Sequence, residues 1–138
     1  RLSTPLSSAP PLPDTIVAQH DRGRGPVNRK VRLKQALGRF EIVGDIRGMG
    51  MIHGIDLVKD RKTKEPNRDA AAKIVYRAWE LGLVCYYAGM FGNIIEITPP
   101  MILTRTQIDD GIAILEQAIR EYLEGDIPDE AVAPYSGW

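Results

Sequence analysis

The stretch Glu41-Ile42-Val43-Gly44-Asp45-Ile46-Arg47-Gly48-Met49-Gly50-Met51-Ile52-His53-Gly54-Ile55-Asp56-Leu57-Val58 decides the fold class of this 138-residue chain. Residues 41–48 and 51–58 are rich in β-branched and apolar side chains and read as two strands. Gly48-Met49-Gly50 between them supplies the positive φ that a tight reversal requires. In the second strand Ile52, Gly54, Asp56 and Val58 share one side and Met51, His53, Ile55 and Leu57 the other. That alternation is imperfect, so periodicity alone leaves the buried face unassigned.

Outward from the hairpin the periodicities change. Val31, Leu33, Ala36 and Leu37 predict a short, weakly amphipathic helix that stops near Gly38. After a polar loop over residues 59–67, Ala71, Ile74, Val75, Ala78 and Leu81 fall at helical spacing, with Gly82 as the stop. Residues 83–87 and 93–98 are strand-like and joined by a loop around Gly89 and Gly92, and Pro99-Pro100 ends the second of them. Thr104-Arg105-Thr106-Gln107 has the form of a capping box, with Asp109 and Asp110 placed to favour the positive end of a helix dipole. Ile108, Ile112, Leu115, Ile119 and Tyr122 then make an apolar stripe closed by Gly125. The order β-β-α-β-β-α predicts an α+β fold: a small, mostly antiparallel sheet covered on one face by helices.

The domain organisation expected is a flexible Pro-rich arm over residues 1–26, the folded unit over 27–125, and an acidic, frayed tail over 126–138. The arm holds five of the ten prolines and few large apolar groups, too little to offset its ordering entropy. The formal net charge is zero, so no global field favours nucleic acid or membrane. Seven bases and no acid lie between Arg22 and Arg39, but no aromatic side chain interleaves them before Phe40, which favours a solvated face over a nucleic-acid arm. One cysteine excludes an internal disulfide, and no apolar run approaches the ~20 residues of a membrane helix. A cytoplasmic fragment is the simplest account.

Three tempting motifs carry no chemistry. Gly48, Gly50 and Gly54 have the wrong spacing for a dinucleotide fingerprint. His20 and His53 lack ligands at metal spacing apart from Asp56 near His53, so no metal site is expected. Cys85 sits in an apolar strand without a basic neighbour and reads as a buried, inert thiol. No catalytic residue is expected in this chain.

Residues 41–58 resemble the segment that opens the small domain of class III, fold-type I, pyridoxal-phosphate-dependent aminotransferases. The likeness continues through Lys59-Asp60-Arg61-Lys62-Thr63-Lys64-Glu65-Pro66, Tyr76-Arg77-Ala78-Trp79-Glu80-Leu81-Gly82-Leu83 and Gly92-Asn93-Ile94-Ile95-Glu96-Ile97-Thr98-Pro99-Pro100, then from Asp109 to Ala118. It covers roughly residues 30–125. The resemblance implies a C-terminal small domain that closes over substrate in a dimer, while a large domain supplies the Schiff-base lysine and most cofactor contacts. It implies transamination between an amine or amino acid and a keto acid, with pyridoxal phosphate in the parent enzyme and no cofactor-binding residue or bound cofactor in this chain alone. Lys59, Lys62, Lys64 and Lys73 lie in or beside polar segments and read as solvated. The expected partners are the large domain and, in its absence, further copies of the chain. A free-standing, non-catalytic binding or dimerisation module is the rival reading. Many members carry a carboxylate-gripping arginine two residues before the first letter of the (T/S/L)-P-P turn; here that position is Glu96. The reversal implies a substrate-binding acceptor for an amine or neutral group, against the plainer reading of a solvated or locally paired Glu96.

Overall fold

A computed structural model describes residues 29–135. The arm expected over residues 1–26 lies outside them, as does the end of the acidic tail. Four strands form one antiparallel sheet in the order β1-β2-β4-β3, from β1 (Val43–Met49), β2 (Ile52–Leu57), β3 (Tyr86–Ala88) and β4 (Ile94–Ile97). Helices α1 (Arg29–Leu37), α2 (Arg68–Glu80) and α3 (Arg105–Glu124) accompany it, with a short α4 (Asp129–Val132) and a 3-10 turn over Ala133–Tyr135. The α+β architecture is the one expected, and every strand pair is antiparallel.

The structure assigns the faces that the alternation left open. His53, Ile55 and Leu57 are buried toward the helices together with Val43, Ile46 and Ile95. Against them pack Leu33 and Leu37 of α1, Ala70, Ala71, Ile74 and Ala78 of α2, and Leu115, Ala118 and Ile119 of α3. Each large apolar side chain removed from water contributes roughly 1.5–3 kcal/mol. The opposite face carries Asp45, Arg47, Gly54, Asp56, Tyr86, Ile94 and Glu96, and none of them is in the core cluster.

Local chemistry sets the ends of the elements. Gly50 turns the first hairpin at φ 60°, and a Cβ on Gly48 would sit 2.2 Å from the Ile52 carbonyl oxygen, so both glycines are required. The register of β1 slips at Gly44, where a side chain would collide with Val58. Asn67 caps α2 by accepting from the Ala70 N–H, a cap not among those expected. Thr104 and Gln107 form the expected capping box, and Gly125 closes α3 in the left-handed conformation.

Asp109 is drawn away from the dipole role expected of it: it pairs with Arg32 and ties α3 to α1. The loop after β2 is tied down as well. Asp60 accepts from the Lys62 and Thr63 N–H groups, which holds its carboxyl below the usual carboxylate range. Arg61 donates to the carbonyls of Gly38, Phe40 and Val43 at 2.6, 2.7 and 3.1 Å, clamping the loop onto the α1–β1 connection.

Two expectations are corrected. Residues 83–85 do not extend β3, which has only three residues; Leu83 and Cys85 pack against the core instead. The segment after Gly125 does not fray over its described part. Ile127 and Val132 are buried, and Asp129 accepts from the Lys73 ammonium at 2.5 Å.

Gly111 stands inside α3, where a Cβ would meet only Leu83 Cδ1 at an ordinary 3.7 Å. Gly111→Ala is therefore expected to raise unfolding stability by about 0.5–1 kcal/mol, read as a higher urea midpoint at unchanged slope.

Candidate functional site

The sheet face that no described element covers gathers the polar side chains that could meet a ligand. One row of cross-strand neighbours runs through all four strands: Arg47 opposite Gly54, Gly54 opposite Glu96, Glu96 opposite Tyr86. Glu96 is half-buried, and its Oε1 accepts from the Tyr86 hydroxyl at 3.1 Å. The next row holds Asp45, Asp56, Ile94 and Ala88. Arg47 turns toward that row, donating to Asp56 Oδ2 at 3.1 Å with Asp45 at 3.7 Å. Asp56 also accepts from the buried Asn93 amide, which in turn donates to the Leu57 carbonyl. Glu96 thus stands on the inner strand β4, neither fully solvated nor held by a local base among the described residues. Its phenol partner was invisible before the strand register was known.

The other candidates separate. His53 and Asp56 lie on opposite faces of β2, His53 being buried beside an apolar cavity of about 80 Å3 between β2 and α3. Among the described residues no three His, Cys, Asp or Glu side chains could hold a metal ion. Cys85 lines a groove of about 310 Å3 with Val75, Tyr76, Trp79, Tyr87 and Val132. Burial pushes its thiol up to about 11.

The lysines do not fit a covalent pyridoxal phosphate site. An amine that must attack a carbonyl needs a depressed pKa in a desolvated pocket. Lys73 is shifted the other way by its hydrogen bond to Asp129, and Lys59 by its hydrogen bond to Glu65. Lys64 donates to the Gly44 carbonyl, and Lys34 and Lys62 are exposed. Lys73 differs from the solvated group expected: its side chain is 12% exposed and pairs with Asp69 and Asp129, because α4 folds back over it.

Comparison with known proteins now bears on the whole unit. The family model described as aminotransferase class-III matches residues 27–119. A leucine/methionine racemase of Thermococcus litoralis is 43% identical over 107 residues, covering 78% of this chain and 24% of that protein. Alanine–glyoxylate aminotransferase 2 homolog 2 of Arabidopsis thaliana is 40% identical over 80 residues, covering 58% of this chain and 17% of that protein. Among solved structures, a Bacillus anthracis aminotransferase superposes with a TM-score of 0.65 at 36% identity, over 67% of this chain and 22% of its own. The chain thus spans about a sixth to a quarter of the length of these relatives. No described helix is long and apolar enough to cross a membrane.

The Cys85 shift has a direct readout. At pH 8 its thiolate fraction should be about 100-fold below that of a free cysteine. Alkylation of the folded chain at pH 8 is expected to run at least ~100-fold slower than in urea. Because the folded pKa is raised, stability should also fall as pH climbs from about 8.5 toward the folded value of about 11, and Cys85→Ala should remove that slope.

Proposed function

Since the chain belongs to the class III aminotransferase family, we propose that it serves as the small domain of a longer pyridoxal-phosphate-dependent enzyme acting on amines or amino acids. The observation that carries this reading is the family match across nearly the whole folded unit in a chain that spans only 24% of its racemase relative. When bound, the cofactor supplies the electron sink for chemistry at the carbon bearing the amino group. The part of this chain is to shape and cover one side of the substrate site. A large domain elsewhere in that enzyme holds the cofactor, and this chain alone is inactive.

Amino-group transfer to a keto acid is the first reading. Racemisation is a second one with specific support. The relatives include, besides the leucine/methionine racemase, an alanine/serine racemase of Pyrococcus horikoshii at 43% identity and an isoleucine 2-epimerase of Lentilactobacillus buchneri at 36%. The two differ in stoichiometry: transfer needs a keto acid, whereas racemisation inverts a single amino acid with none. With the longer enzyme, L-leucine should lose its amino group only when 2-oxoglutarate or pyruvate is added, and L-alanine only when 2-oxoglutarate is added, because alanine and pyruvate merely exchange places. Loss of optical activity without any keto acid would establish racemisation instead. Absence of both across a panel of amino acids and amines would remove the enzyme reading and leave the binding module.

Two expectations concern the isolated chain. Mixed with pyridoxal phosphate and dialysed, it should keep no borohydride-fixable cofactor. It should also self-associate, because Trp79, Val84, Met90 and Phe91 are 59–92% exposed and exposed apolar side chains tend to find cover. Light scattering at micromolar concentration should report more than a monomer.

A further inference from the structure

The chain passes from α1 to β1 through residues 38–42, which belong to no helix or strand and begin with Gly38. Hinges fall at such short connections between elements, so this is where α1 could swing against the sheet. The loop over residues 59–66 lies across that connection. Besides the Arg61 contacts to the Gly38, Phe40 and Val43 carbonyls, Lys64 Nζ donates to the Gly44 carbonyl at 2.9 Å. The Val58 N–H donates to the Ile42 carbonyl at 2.8 Å. The carbonyls of Gly38, Phe40, Ile42, Val43 and Gly44 are thus all held by residues 58–64. Arg61 also places a cation at the C-terminal end of α1, where the helix dipole favours one.

The loop is itself fixed. Its ends close on each other through the Lys59 N–H and the Glu65 carbonyl at 2.8 Å and through the Val58–Pro66 bridge. Asp60 accepts from two of its N–H groups, and Lys64 stands at φ 59°, which a side chain keeps only where its surroundings fix it. On its other side α1 is held by buried Leu33 and Leu37, and by pairs from Arg32 to Asp109 and from Arg39 to Glu116 on α3.

We propose that residues 59–66 are a strap, with Arg61 as its fastening, that makes α1 and the sheet one rigid body. In the longer enzyme the unit then moves with α1 attached, and the pivot lies ahead of Arg29, not in residues 38–42. The strap rests on the contacts alone. The placement of the pivot rests on the reading of the chain as the C-terminal small domain of that enzyme.

Amide hydrogen exchange of the 138-residue chain tests the strap. The Phe40 and Val43 N–H groups, which bond to the Leu37 and Phe40 carbonyls, should be protected and not exchange as in an open loop. Arg61→Met should speed both by about tenfold or more, as expected for lost hydrogen bonds from a charged donor, and leave the amides of Ala118 and Ile119 slow. Lys64→Met removes one carbonyl contact and should act the same way to a smaller degree. Open-loop rates in the unaltered chain would overturn the strap, and so would rates unmoved by Arg61→Met. Should Arg61→Met unfold the chain, Lys64→Met decides: faster exchange confined to residues 38–44 supports the strap, and any other outcome overturns it.

For the pivot, spin labels go on Lys34→Cys of α1 and Met49→Cys of β1 in the longer enzyme carrying Cys85→Ala, both labelled positions being exposed. The distance between them should be single, and the same in the cofactor-free, pyridoxal-phosphate-loaded and L-leucine-treated forms. A second distance, or one that changes among these forms, would place the pivot in residues 38–42 and overturn the proposal there. An enzyme that turns over no amino acid or amine would remove the reading as its small domain, and the pivot with it, while the exchange rates still decide the strap.

Discussion

Two hairpins far apart in the chain become one sheet only through the ladder between β2 and β4. Ile55 faces Ile95 across it, and both lie fully buried beneath the helices. Asn93 secures the junction from the side: its buried amide reaches both the Leu57 carbonyl and Asp56. Everything else hangs on this pairing. It places β1 and β3 at the edges, gives α2 and α3 a continuous apolar floor, and puts Gly54 beside Glu96 on the far side. An antiparallel sheet can leave one face to water, and here the two faces divide the work: one supplies stability, the other polar groups.

The helices show how the floor is used. α2 and α3 meet through small residues, with Ala70, Ala71, Ala78 and Ala118 fully buried, so larger side chains such as Ile74 and Ile119 can reach the sheet. Outside the apolar seam Arg77 pairs with Glu121, whose carboxyl is thereby held below its usual range. Such partly exposed pairs add little stability singly and mainly fix how the two helices are set against each other.

What could be read from the sequence was mostly what is decided locally. The capping box of Thr104 and Gln107, the Gly125 stop and the glycine turn at residues 48–50 need only neighbours within a few residues, and they stand as read. Features that escaped depend on partners brought close by the fold. Arg61 binds carbonyls at Gly38, Phe40 and Val43; Asp109 is claimed by Arg32; Lys73 is covered by the segment carrying Asp129. The candidate site divides in the same way. The position of Glu96 could be singled out only through the family resemblance of its turn segment, and its contact with Tyr86 required the register of β3 on β4.

The strand order also fixes a sequence of events during synthesis. The β1–β2 hairpin is complete at Leu57, yet the strand that must lie beside it ends only at Ile97. At ribosomal speeds of roughly 5–20 residues per second, that interval lasts about 2–8 s. Through it Ile55 and Leu57 have no β4 beside them, and the open edge of β2 can pair with any strand within reach. The nascent chain is therefore most prone to misassembly while its first hairpin waits for its partner, which makes the span from β2 to β4 the interval in which a holding chaperone would matter most.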